Sequence, residues 1–139
     1  MELIQQLKEE HKEIINAFDT ILTAIKDKTA DLDLVEHFRD MRDVLDNHLA
    51  LEDKFLYPRL QKLEYDELKE LANVFSDEML KITKVVLAFF GNYEKKEISG
   101  LRKDAKFKKK LDELIKTVKR RVSVEENILF PAYEKYYKK

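Results

Sequence analysis

Four apolar stripes at three-and-four spacing run along this chain with almost nothing to interrupt them. Only two glycines and two prolines occur in 139 residues, so few positions force a helix to stop, and a meander of short strands would lack its turns. Ile4, Leu7, His11, Ile14, Ile15, Phe18, Ile21, Leu22 and Ile25 make the first stripe, which fades near Lys28. Asp33 followed by Glu36 resembles a capping box. It opens a second stripe of Phe38, Met41, Val44, Leu45, His48, Glu52, Phe55 and Leu60, ending near Leu63. Asp66 is the expected N-cap of a third helix, whose stripe is Leu68, Leu71, Phe75, Met79, Ile82, Val86, Phe89 and Tyr93. Ser99-Gly100 is the expected break before a fourth, with Phe107, Leu111, Leu114, Val118, Arg121, Glu125, Leu129 and Ala132, running to about Tyr136. Each stripe needs a partner to bury it, and short connections between four long amphipathic helices predict an all-α, antiparallel up-down-up-down four-helix bundle. Residues 1–139 are expected to form a single domain. Pro58 and Pro131, inside otherwise helical patterns, are expected to bend their helices without ending them.

Charge and composition narrow the function. The 27 basic and 28 acidic side chains nearly cancel, so no broad field invites nucleic acid or a membrane surface, and neither is expected as a partner. The lysine-rich stretch 103–110 reads as a solvated helix face. With no cysteine, disulfides, thiolate zinc sites and cysteine nucleophiles are excluded. No apolar run is long enough to span a bilayer, and none opens the chain as a signal peptide would. The expectation is a soluble, cytoplasmic protein.

Two stretches repeat. HLALEDKFLYP (48–58) and RVSVEENILFP (121–131) share a carboxylate four residues in (Glu52, Glu125), a second acid beside it (Asp53, Glu126), and a leucine, an aromatic and a proline at matching offsets. Leu7-x-x-Glu10-His11-x-x-Ile14 parallels Phe75-x-x-Glu78-Met79-x-x-Ile82 in the same way. The pattern is that of an internal duplication in which Arg121 answers to His48 and Met79 to His11. With a turn near residue 31, His11 lies 20 residues before it, and His48 and Glu52 lie 17 and 21 after it. At ~1.5 Å of rise per residue these three stand within about a turn of one height. Met79, Arg121 and Glu125 flank the Gly100 break in the same manner, so six stripe positions converge on one layer.

Two carboxylates in such a layer require cations, because an unpaired buried charge costs several kcal/mol or takes up a proton. Two imidazoles and two carboxylates suit a bound metal, and the nitrogen and oxygen mixture favours iron, manganese or zinc over calcium or magnesium. The i,i+4 spacing of His48 and Glu52 puts both within reach of one ion. An apo layer also balances, since Arg121 and one protonated histidine offset the same two carboxylates. Met79 reads as core filling, and His37, about three turns from His48, as a helix-start or surface histidine. Tyr57, Tyr93, Tyr133 and Tyr136 are explained by bundle packing, and no spacing rule singles one out.

Glu10-His11, His48-x-x-x-Glu52 followed by Tyr57-Pro58, and Glu125-Glu126-Asn127-Ile128-Leu129-Phe130-Pro131 together resemble the hemerythrin-like family, also called the HHE cation-binding domain. The resemblance covers essentially the whole chain. It implies a four-helix bundle that holds two iron ions bridged by two carboxylates and capped by histidines from all four helices. It also implies service in oxygen binding, oxygen or iron sensing, or repair of nitrosative damage. Histidines at positions 79 and 121 would complete the pattern, and Met79 and Arg121 stand there instead. By the resemblance, His11 and His48 terminate one iron, Glu52 and Glu125 are the former bridging carboxylates, and Arg121 replaces the second ion. The expectation is a non-haem, non-enzymatic domain with a mononuclear site on His11, His48, Glu52 and Glu125. That site would take iron, or else manganese or zinc, with dioxygen or another small ligand as a further partner. The alternative is an apo structural or interaction module with a relic site held by Arg121–carboxylate pairs.

Overall fold

The structure, a computed structural model, describes residues 2–27, 33–93 and 95–137. Helix α1 (Leu3–Lys26) buries Ile4, Leu7, His11, Ile14, Phe18, Ile21, Ala24 and Ile25. Helix α2 (Leu34–Leu51) starts where Asp33 accepts the Glu36 N–H at 3.2 Å. It passes through a π-helical turn (Glu52–Leu56) into α3 (Tyr57–Gln61). Helix α4 (Asp66–Tyr93) comes next, then a single turn, α5 (Ile98–Leu101). Helix α6 (Ala105–Val124) is capped by Asp104, which accepts the Phe107 N–H at 3.0 Å, and passes through a second π-helical turn (Glu125–Leu129) into α7 (Phe130–Tyr136). No strand occurs among the described residues, and no described helix is long and apolar enough to cross a membrane.

Cross-helix pairs fix the directions. His48 meets Glu10 while His37 meets Ala17, so α1 and α2 are antiparallel. His11 meets Glu125, Asp19 meets Lys119 and Ala24 meets Arg102, which makes α1 antiparallel to the α6 arm. Glu78 meets Arg121 while Phe89 stacks on Phe107, and this orients α4 against α6 in the same sense. The four long arms are therefore an antiparallel helical bundle.

Two expectations change in detail, and one falls where the structure gives no description. The turn near residue 31 lies outside the described residues. Asp66 is the first helical residue and not the cap, since the Tyr65 carbonyl already accepts the Lys69 N–H at 3.1 Å. Ser99-Gly100 sits inside α5, so the last long helix starts at Ala105, behind the Asp104 cap.

At both prolines the helix continues, as expected, and it does so through a change of hydrogen-bond register. Pro58 has no N–H to give the carbonyl four residues back, and its ring crowds that carbonyl. The preceding turn widens so that the Tyr57 N–H reaches the Glu52 carbonyl, five residues back. Before Pro131 the Phe130 N–H reaches Glu125 in the same way. The extra residue in the turn rotates the remainder of the helix, so Leu56 and Tyr57 both point inward. Phe55, expected on the buried stripe, is turned outward and 39% exposed. A plain 3.6-residue period cannot anticipate that shift.

The buried side chains form two apolar clusters. One gathers Phe18, Ile21, Phe38, Phe89, Phe90 and Phe107 near one end of the bundle. The other gathers Ile4, Leu7, Leu60, Phe75, Phe130 and Tyr133 at the opposite end. Between them lie the buried polar side chains.

Candidate metal centre

His11, His48, Glu52, Arg121 and Glu125 are 2%, 2%, 0%, 6% and 1% exposed, and they are the only buried polar or charged residues among those described. The helices bring them to one level. Helix α1 carries His11, α2 carries His48, and the two π-helical turns open on Glu52 and Glu125. π-Helical turns concentrate at functional positions because they set a side chain at an angle that the regular helix does not offer.

One atom from each of His11, His48 and Glu125 falls within 4.8 Å of the other two. His11 Nε2 lies 2.9 Å from Glu125 Oε2, and His48 Nε2 lies 4.0 Å from that same oxygen. Glu52 joins through His48, its Oε1 standing 2.9 Å from His48 Nε2. That approach is close enough for an ion pair but is not aligned as a hydrogen bond, and Glu52 Oε1 is a buried oxygen without a hydrogen-bond donor. The two imidazoles tilt against each other with ring centres 4.7 Å apart, and Phe130 stacks on His11 at 5.4 Å. The outer ring nitrogens also have partners: His11 Nδ1 is 2.8 Å from Glu126 Oε2 and His48 Nδ1 is 2.9 Å from Glu10 Oε1. The sequence signal for these two acids was present, since each adjoins a ligand candidate, but the period alone could not say which imidazole they would reach.

Arg121 occupies the other side of the layer. Its Nε donates to Glu125 Oε1 at 3.3 Å, its Nη1 to Glu78 Oε2 at 3.1 Å, and its Nη2 to the Phe75 carbonyl and to the Tyr57 hydroxyl. The guanidinium carbon lies 4.5 Å from the Phe75 ring centre, a cation–π contact. Tyr57 is the tyrosine that reaches the layer, donating to Glu52 Oε2 at 3.4 Å. Tyr93 packs in the aromatic cluster, Tyr133 accepts from Arg59 at 2.7 Å, and Tyr136 is at the surface. His37, in the first turn of α2, reaches the Ala17 carbonyl at 2.9 Å and ties α2 to α1.

Protonation is set by this packing. Burial alone would lower the His48 pKa, but the carboxylates of Glu10, Glu52 and Glu125 overcome it and push the pKa up to about 10. Burial and the neighbouring Glu125 charge raise Glu52 to about 7. Burial acts on Glu125 in the same upward sense, yet His11 and His48 outweigh it and hold this carboxyl below its ordinary value. The layer thus has one ready carboxylate, one reluctant carboxylate and a strongly basic imidazole.

Beside the layer is a cavity of about 30 Å³, lined by His11, His48, Met79 and Arg121 and by apolar side chains such as Leu45 and Val86. It has room for a water or a diatomic molecule, not for an organic substrate. Met79 takes part as an apolar wall, buried and 8% exposed.

Residues 2–133 match the family model described as Hemerythrin HHE cation binding domain. No curated protein and no solved structure matches the chain.

Proposed function

The chain belongs to the hemerythrin HHE cation-binding family, and from that premise we propose that it is a non-catalytic domain holding one iron-type ion. The residues that would hold it are His11, His48, Glu52 and Glu125, with Arg121 in the place of a second ion. The observation that carries this reading is the convergence of donor atoms from His11, His48 and Glu125, with Glu52 joined to them through His48. Two atoms bound to one ion at ~2.1 Å and at right angles to each other stand ~3 Å apart. The pairs His11 Nε2–Glu125 Oε2 and His48 Nε2–Glu52 Oε1 are both at 2.9 Å. Glu52 Oε1, buried without a donor, has the lone pairs such an ion requires. The donor set fits: two imidazole nitrogens and carboxylate oxygens suit iron, manganese or zinc. When bound, an iron ion supplies a redox-active Lewis acid with positions open to a small ligand such as dioxygen. The cavity limits that ligand to a few atoms, and the apolar clusters on either side keep bulk water from the layer. Arg121 holds Glu125 from the far side and supplies a fixed positive charge.

Elemental analysis of protein purified without chelators tests this directly. About one ion per chain is expected, without the near-ultraviolet absorption of a bridged iron pair, and two tightly held ions or none would sink the reading. One observation favours a second reading, that of an apo scaffold. His48 is basic enough to stay protonated, and with Arg121 it balances Glu52 and Glu125 without metal. A metal-free protein as isolated, taking up none on addition, would establish that second reading.

A further inference from the structure

Each histidine of the layer gives its outer nitrogen to an acid from a different part of the bundle. Glu10, on α1, takes His48 of α2, and Glu126, on the turn after α6, takes His11 of α1. A carboxylate only accepts, so Nδ1 donates in both rings, while Nε2 faces Glu52 and Glu125 and is the nitrogen that would give up its own proton to an ion. Resting on the metal reading above, we propose that Glu10 and Glu126 are positioning residues for the ion. Each fixes the tautomer and the ring angle of one histidine, so that its Nε2 is the donor turned inward. Carboxylates that hold the remote nitrogen of a ligating imidazole also raise its basicity, and their loss weakens metal binding 10- to 100-fold.

The duplicated half of the chain supplies an internal comparison. Glu78 is the counterpart of Glu10, and it still holds the counterpart of His48, Arg121, at 3.1 Å. Asp53 is the counterpart of Glu126, and the residue it would hold is Met79, the counterpart of His11. A thioether has no N–H to donate, and Asp53 stays on the exposed side of its helix. The acid meets its partner where that position carries a donor, in Glu10, Glu126 and Glu78, and Asp53, whose partner position carries none, stays exposed. General attraction of cations by surface acids would not produce this distinction. Glu10 and Glu126 are also the less exposed acids, with side chains 13% and 33% accessible.

The test uses the full chain and zinc, which is diamagnetic. Zinc affinity is measured by competition titration for wild type, Glu10→Ala, Glu126→Ala, the two glutamine variants, and the controls Glu13→Ala and Asp53→Ala. Glu13 is an exposed acid one turn from Glu10. The alanine variants should bind 10- to 100-fold more weakly and the glutamine variants, which keep an acceptor oxygen, several-fold more weakly, with both controls within about twofold of wild type. In the zinc-loaded, ¹⁵N-labelled protein the Nδ1–H signal of His48 should be lost or shifted by Glu10→Ala and that of His11 by Glu126→Ala, each leaving the other in place. Should an alanine variant fail to fold, its glutamine counterpart decides by the same two readouts. Wild type that takes up no zinc overturns the metal reading and this inference with it. Wild type that binds, with Glu10 and Glu126 variants as tight as Asp53→Ala and Nδ1–H signals unmoved, overturns the positioning role alone.

Discussion

Arg121→Ala removes the one permanent cation from the layer, and its effect can be apportioned. The bond to Glu78 contributes little, because the Glu78 side chain is 57% exposed and water screens that pair. The bond to Glu125 is different: both side chains are buried, at 6% and 1%. Glu125 would keep His11 but lose the guanidinium, and the Tyr57 hydroxyl would lose the donor it accepts from. Phe75 would lose both a hydrogen bond to its carbonyl and a cation over its ring. Breaking a buried pair from one side leaves an under-compensated charge and costs about 3 to 5 kcal/mol. Glu78→Ala, by contrast, should cost less than about 1 kcal/mol. Urea unfolding of the metal-free protein measures both, read as a lower midpoint with an unchanged slope. A loss for Arg121→Ala no larger than about 0.5 kcal/mol, the range of exposed substitutions, would refute the account of the carboxylate layer.

The stability of the metal-free protein is expected to slope downward from mildly acidic to alkaline conditions. His48 is raised from 6.5 to about 10, so its contribution is fully present below about pH 6.5 and lost as pH rises through 10, at no more than about 1.4 kcal/mol per pH unit. Glu52, raised from 4.5 to about 7, favours the protonated form in the fold and adds to the fall between those values. Glu125 is depressed and opposes it only at the acid end, where stability drops as the pH passes below the ordinary carboxylate range. Thermal melts that rise from pH 6 to pH 9 would contradict this. The double variant Met79→His with Arg121→His restores the family's ligand set on a backbone already in place, and should take up a second iron and acquire the absorption of a bridged pair. Elemental analysis showing still one ion per chain would mean that more than these two side chains keeps the second position closed.

The helices were legible because burial leaves its period in the sequence. The stripes of α1 and α6 coincide with the buried faces nearly residue for residue, and the same count of turns that located His11, His48, Glu52 and Glu125 at one height also located Arg121. What the period could not express is a change of period. A proline six residues after each glutamate was the visible trace of the π-helical turns, but only the hydrogen-bond pattern shows that the turn widens instead of breaking. Phe55 left its expected place on the buried stripe for that reason. The partners of the outer imidazole nitrogens were illegible for another reason: Glu10 and Glu126 adjoin His11 and Glu125 in sequence, yet each acts across a helix interface.

Three differences between the two sides of the layer depend on one another. On one side a neutral ring stacks on an imidazole, with Phe130 lying nearly parallel to His11. On the other side stands Tyr57, at the same offset in the repeat, whose hydroxyl accepts from the guanidinium of Arg121 and donates to Glu52. A phenylalanine at 57 would leave that Nη2 with one acceptor fewer in a buried site. Met79 fits the same set, since a histidine there would bring another polar ring beside a guanidinium that already holds four partners. Across the repeat Arg121 answers to His48, Met79 to His11 and Tyr57 to Phe130, so a guanidinium with its own acceptors stands opposite the two imidazoles. Glu125 belongs to both sides, meeting His11 with one oxygen and Arg121 with the other. Glu52 is shared in the same way between His48 and the Tyr57 hydroxyl, so the two arrangements stand at one level of the core.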